Sequence, residues 1–228
     1  MTKKTYFTKA EKWLWGGSCA LIFGCYLLFD RGNTLTLIAS LLGVTSLIFA
    51  AKGNPVSQAL MIVFSLLYGY ISYTFAYYGE MITYLGMTMP MAVIALISWL
   101  RNPYHGNHAQ VTVNRRMGKG EWWLLAVLTA VVTAVFCPIL AFFGTANLLP
   151  STLSVTTSFA AVYLTFRRSP YYAVAYAAND VVLILLWSLA ALQNTKYVSV
   201  TVCFAVFLVN DLYGFFSWQR MAKTQTET

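Results

Sequence analysis

Eight apolar runs separated by short polar connections dominate this sequence and leave it few ways to fold. A membrane-crossing helix needs roughly 20 apolar residues. That ruler finds spans at about 13–29, 34–51, 58–78, 81–100, 121–144, 150–166, 171–192 and 197–218. The connections carry helix breakers: Asp30-Arg31-Gly32-Asn33, Gly53-Asn54-Pro55, Asn147 to Pro150, and Ser169-Pro170. Pro90 and Pro138 lie inside spans and predict kinks. Composition agrees: hydrophobic residues make up 59% of the chain and charged residues 10%, against about 25% charged in a typical soluble domain. So little charge cannot cover a water-facing surface, and lipid is the outer solvent. The expected fold is an all-α integral membrane protein, one membrane domain over residues 1–228.

The net charge of +8 does not indicate a nucleic-acid partner, because the basic residues sit between apolar runs rather than along one face. Their placement sets topology instead. With the N-terminus inside and eight spans, 13 of the 15 Lys and Arg residues lie on the inner side, leaving Arg31 and Lys196 outside. Both termini are therefore expected in the cytoplasm, with the chain in the cell membrane. Lys3, Lys4, Lys9 and Lys12 ahead of the first run resemble a secretory leader. No small-residue cleavage site follows Phe29, so this run reads as a retained helix.

Catalytic and metal chemistry find little support. Cys19, Cys25, Cys137 and Cys203 all lie within apolar runs and read as buried thiols. His105 and His108 have no Cys or Glu at ligand spacing, so the loop from Arg101 to Gly120 reads as solvated and basic. There is no nucleophile–base pair and no Gly-rich phosphate loop, so neither an enzyme nor a cofactor is expected. A membrane enzyme using buried acids, or an accessory protein docking through the basic loop, are the readings from other classes.

An internal repeat is the next signal. The second span ends Lys52-Gly53-Asn54-Pro55 and the sixth Arg167-Arg168-Ser169-Pro170. The fourth ends Ser98-Trp99-Leu100-Arg101 and the eighth Ser217-Trp218-Gln219-Arg220. Proline and tryptophan are 44 residues apart in one case and 48 in the other. This predicts two parallel triplets, 34–100 and 150–218, joined by a linker helix at 121–144, with 13–29 as an extra helix.

Polar groups at membrane depth are costly and default to function. By these boundaries the spans hold two buried acids, Asp180 and Asp211, preceded by Asn179 and Asn210. Asp180 and Trp187 are seven residues apart and share a helix face. Asn210, Tyr213, Gly214, Ser217 and Trp218 form a second stripe. Three readings follow: hydrogen bonding between helices, proton coupling through a buried acid, or recognition of a small ring by amides, carboxylates and aromatic faces. Tyr68, Tyr70, Tyr73, Tyr77 and Tyr78 crowd the third span, some as interfacial anchors.

The stretch Asn210-Asp211-Leu212-Tyr213-Gly214-Phe215-Phe216-Ser217-Trp218 resembles the N-D-x-Y-x4-W signature of the Pnu vitamin transporters, in particular the PnuC-type nicotinamide riboside carriers. Asn179-Asp180 with Trp187 resembles the preceding helix of that family. The resemblance implies a fold related to the SWEET sugar carriers, facilitated diffusion, and trapping of the cargo by a cytoplasmic kinase. It implies substrate contacts at Asn179, Trp187, Asn210 and Tyr213, to which the buried polar and aromatic pattern adds Asp180, Asp211 and Trp218. The family often carries a second tryptophan three residues from the first; here Ile184 and Ala190 stand at both places. Nicotinamide riboside and thiamine, both aromatic cations, suit the carboxylates; nicotinamide riboside ranks first, thiamine second and riboflavin third. The expected partners are this small molecule and the bilayer, with assembly into a homo-oligomer left open.

Overall fold

The computed structural model describes residues 6–74, 77–145 and 147–227. Among them, eight helical segments are long and apolar enough to cross a membrane. They are α1 (Lys9–Phe29), α2 (Thr34–Ala51), α3 (Val56–Thr74), α4 (Tyr78–Leu100), α5 (Lys119–Phe142), α6 (Leu148–Phe166), α7 (Tyr172–Ala191) and α8 (Val198–Glu227). The expected all-helical membrane fold is the one observed.

The boundaries differ from the sequence expectation where polar residues join a helix. A capping box starts α1 early: the Thr8 amide donates to Glu11 Oε2 at 2.7 Å and the Glu11 amide to Thr8 Oγ1 at 3.2 Å. In the same way α8 runs to Glu227 rather than residue 218, through residues that an apolar ruler does not count. Within α4 the turn Tyr84–Thr88 is a π-helix. Pro90 has no amide to bond four residues back, and the Met89 amide donates instead to the Tyr84 carbonyl five residues back. The proline thus widens one turn.

Six helices close into a ring in the order α2, α3, α4, α6, α7, α8 and back to α2. Helix α5 packs mainly on α6, with Thr133 and Thr156 hydroxyls 2.9 Å apart. Helix α1 lies outside the ring against α2 and α8. It buries a polar stripe, Glu11 and Ser18, together with Ile22. Glu11 pairs with Lys52 at 3.1 Å and accepts from the Tyr213 hydroxyl at 3.2 Å, while Ser18 accepts from Asn210 Nδ2 at 3.0 Å.

The ends of α2 and α6 are built alike. Gly53 (φ 66°) and Arg168 (φ 56°) both adopt the left-handed conformation. Each donates back to a carbonyl three residues earlier, Ala50 at 2.8 Å and Thr165 at 3.0 Å. The next amides, Asn54 and Ser169, reach Phe49 and Leu164, both at 3.0 Å. The segment after α4, read from sequence as a solvated loop, forms a hairpin of β1 (Pro103–Tyr104) and β2 (Asn107–Val111). Its two-residue turn has positive φ at His105 (47°) and Gly106 (75°), as a tight hairpin requires. The chain beyond it straps one end of the bundle. The Val111 amide donates to the Gly53 carbonyl at 2.9 Å and the Asn114 amide to that of Arg168 at 3.0 Å. Gln225 on α8 holds the strap from outside, donating to the Val111 carbonyl at 3.0 Å and accepting from the Val113 amide at 2.8 Å. This end is called the hairpin face below.

Candidate functional site

A small cavity of about 30 Å3 lies inside the ring. Its polar lining comes from Ser158 on α6, Tyr176, Asn179 and Asp180 on α7, Asp211 on α8, and Tyr84 and Thr88 on the π-turn of α4. Apolar residues of α2, α3 and α8 complete it, Phe64, Phe204 and Phe207 among them. A volume of this size holds roughly two water molecules and is far too small for a vitamin.

Asn179 is held by α6, where the hydroxyls of Thr157 (2.8 Å), Ser158 (3.0 Å) and Ser154 (3.4 Å) converge on its Oδ1. Asp180 and Asp211 are neighbours across the α7–α8 contact, within electrostatic reach of each other. Both are buried, and Asp180 Oδ2 has no hydrogen-bond partner. Buried polar atoms are nearly always satisfied, so this orphan leaves a place for a water molecule or a ligand group.

The other sequence-predicted residues stand apart from the cavity wall. Asn210 turns toward α1, its Nδ2 donating to Ser18 Oγ and to the Val206 carbonyl, with its Oδ1 unpartnered. Tyr213 also faces α1, through Glu11. The inward stripe of α8 is instead Phe204, Phe207, Asp211 and Trp218. Trp187 lies between the cavity and the end opposite the hairpin face, and Trp218 at the hairpin face.

Those two tryptophans belong to the two closures of the cavity. At the hairpin face, Trp99 Nε1 donates to the Thr165 carbonyl at 2.9 Å and Trp218 Nε1 to the Ala50 carbonyl at 2.7 Å. The preceding serines follow: Ser98 Oγ reaches the Phe166 carbonyl at 3.0 Å, and Ser217 Oγ that of Ala51 at 2.7 Å. Helix α4 therefore latches onto α6, and α8 onto α2. The two indoles meet at 5.4 Å, with Tyr172 packed 4.8 Å from Trp218.

The opposite end is closed by rings. Trp187 contacts Tyr77 (4.9 Å), Tyr197 (5.6 Å) and Tyr68 (6.2 Å), and Tyr68 contacts Tyr84 (4.4 Å). Trp187 Nε1 and the Tyr68 hydroxyl are both buried without a hydrogen-bond partner. Burial, and then the neighbouring Tyr197 hydroxyl, push Tyr77 up to about 12, so it is a neutral phenol at physiological pH. Tyr68 is 5% exposed, so it is part of this plug rather than an interfacial anchor.

Sequence reading did not find Tyr84, Thr88 or Tyr176 in the cavity, nor Glu80, which is buried in the first turn of α4. Glu80 was legible as an acid beside an apolar run, but a span starting at 81 left it outside. Tyr176 stands four residues before Asp180, on the same helix face.

A ring of membrane helices closed at both ends around a polar, aromatic-walled cavity is the architecture of a small-molecule membrane transporter. The chain belongs to the nicotinamide mononucleotide transporter family, whose model matches residues 33–220. It is 25% identical over 222 residues to the nicotinamide riboside transporter PnuC of Neisseria mucosa, covering 96% of this chain and 83% of that protein. It is 22% identical to the protein of the same name from Haemophilus influenzae, over 83% of this chain and 80% of the relative. The crystal structure of the vitamin B3 transporter PnuC has the same fold, with a TM-score of 0.84 at 22% identity, covering 96% of this chain and 94% of that one. These relatives are transporters and not enzymes, and so is this multi-pass membrane protein.

Proposed function

We propose that this protein carries nicotinamide riboside across the cell membrane by facilitated diffusion, with a cytoplasmic kinase trapping the cargo by phosphorylation. The observation that carries this reading is the cavity lining: two carboxyl groups, an amide and aromatic walls, with no Lys or Arg among the lining residues. Carboxylates and aromatic faces attract the positively charged pyridinium ring. The same lining disfavours nicotinamide mononucleotide, whose phosphate would meet two acids and no counter-charge. Thiamine, a second aromatic cation, is the alternative cargo and riboflavin, a larger neutral ring, the weaker one.

Asn179, Asp180 and Asp211 would contact the substrate directly, with the Asn179 amide nitrogen offered to it because α6 hydroxyls already engage the oxygen. Trp187 would stack on the ring once the plug parts. Asn210 and Tyr213 would act by fastening α1, and Trp218 by latching the hairpin face. The two triplets would be repeats, since their latches match residue for residue. The hairpin face, which carries the start of α1 and the end of α8, would be cytoplasmic by the positive-inside rule. The lipid-facing flanks of α1 and α5 are the surfaces that a homo-oligomer would use.

Uptake of labelled nicotinamide riboside into proteoliposomes without an ion gradient tests this, with unlabelled nicotinamide mononucleotide, thiamine and riboflavin as competitors. Saturable uptake that none of the three suppresses is the expected result. Suppression by thiamine alone would move the cargo to thiamine, and a requirement for a proton or sodium gradient would overturn facilitated diffusion.

A further inference from the structure

Glu80 is an acid without a task. It sits in the first turn of α4 on the side of the ring plug, is 2% exposed, and makes no ion pair or side-chain hydrogen bond among the described residues. Its Oε2 is buried without a partner. The α5–α6 connection packs against the residue before it: a Cβ on Gly79 would fall 2.7 Å from the Thr145 side chain, so only glycine permits that approach. The α4 N-terminus favours an acid in its first turn, but that contribution is small beside the several kcal/mol of burying an uncompensated charge.

The surroundings show what could compensate it. The Tyr68 and Tyr84 rings, 4.4 Å apart, both lie within electrostatic reach of Glu80, and Tyr84 is also within reach of Asp180. Tyr84 thus spans from Glu80 to the cavity wall. Trp187 packs edge-on against Tyr68, and its Nε1 and the Tyr68 hydroxyl are both buried without a close hydrogen-bond partner. A carboxylate, closely packed aromatic rings and buried donors together fit an aromatic cation that also carries hydroxyl acceptors.

We propose that Glu80, with Tyr68, Tyr84 and Trp187, is a second substrate station between the cavity and the face opposite the hairpin, and that Glu80 selects for positive charge on the travelling ring. This rests on the cationic cargo proposed above. Nicotinamide riboside and its dihydro form share a shape, but only the first carries the pyridinium charge, so the pair isolates charge from fit.

Proteoliposomes bearing the wild type, Glu80→Gln and Glu80→Asp are compared for uptake of both compounds. The wild type is expected to favour the cation. Glu80→Gln should lower that preference about tenfold, as loss of one charge-assisted contact does, while changing uptake of the neutral form less than about twofold. Glu80→Asp should keep most of the preference. An unchanged cation-to-neutral ratio in Glu80→Gln, or an equal fall for both compounds, overturns the proposal. If the wild type carries thiamine instead, the cargo reading fails, yet a selective loss of thiamine uptake in Glu80→Gln would still support the station. If it carries no cationic ring, both readings fall.

Discussion

The two closures of the cavity are made of different physics. At the hairpin face, indole donors meet backbone carbonyls at 2.7–2.9 Å, the serines repeat the pattern, and a strap bonds across both triplets. Those bonds are directional and satisfied, so separating them exposes paired polar groups all at once. At the opposite end the aromatic rings pack with centroids 4.4–6.2 Å apart, while Trp187 Nε1 and the Tyr68 hydroxyl lack partners. Ring packing is less directional and yields by rotamer change, and orphaned donors gain from a ligand's arrival. In the closed state the hairpin face is the firm end and the plug the yielding one.

The largest effect expected from this contrast is at Trp187. Cys203 is buried in the plug cluster, so its alkylation by a small polar thiol reagent reports opening, with Cys19, Cys25 and Cys137 replaced by serine. Trp187→Ala should speed that labelling roughly a hundredfold by emptying the plug. Trp218→Ala, at the other end, should leave it within about threefold. Equal acceleration by both would show that the two ends do not open separately.

Next comes the difference between neighbours of the two asparagines. Asn179→Ala removes the acceptor of three hydroxyls and the amide offered to the ligand, and binding of nicotinamide riboside by calorimetry should weaken at least tenfold, about 1.4 kcal/mol. Asn210→Ala loosens α1 and should weaken binding less than about threefold, with its main cost in thermal stability. The reverse order would place Asn210 at the ligand.

Smaller and matched effects test the latch. Trp99→Phe and Trp218→Phe each remove an indole donor from a carbonyl that keeps its backbone partner and leave a small void in a buried site, and each should cost about 1–3 kcal/mol, read as lowered thermal midpoints in detergent. Unequal costs would break the equivalence of the two triplets. The smallest change is expected from Gln225→Ala, which frees the strap at about 1 kcal/mol and should speed protease cleavage within 101–118 without altering Cys203 labelling.

Much of this protein was legible in its residues. Run length and breakers gave eight spans, all but the end of α8 within about four residues of the observed helices, because the thickness of the bilayer dictates the length of an apolar helix. The Asn-Asp pairs pointed to α7 and α8, because polar atoms at depth are rare. The serine–tryptophan ends pointed to matched helix termini. What the residues could not show was direction around each helix. In water an apolar stripe marks the buried face. In lipid both faces are apolar, so nothing in α8 tells Asp211, which lines the cavity, from Asn210, which holds α1. That choice depended on where α1 docks its own polar stripe. Likewise only the packed bundle shows Glu80 as a buried, unpaired acid, beside the glycine on which the α5–α6 connection rests. The sequence by itself determined the number of spans and which helices carry polar groups, since those follow from bilayer thickness and the cost of desolvation. The tertiary structure alone decided which of those groups meet, because in a lipid-facing bundle polarity sets depth while packing sets rotation.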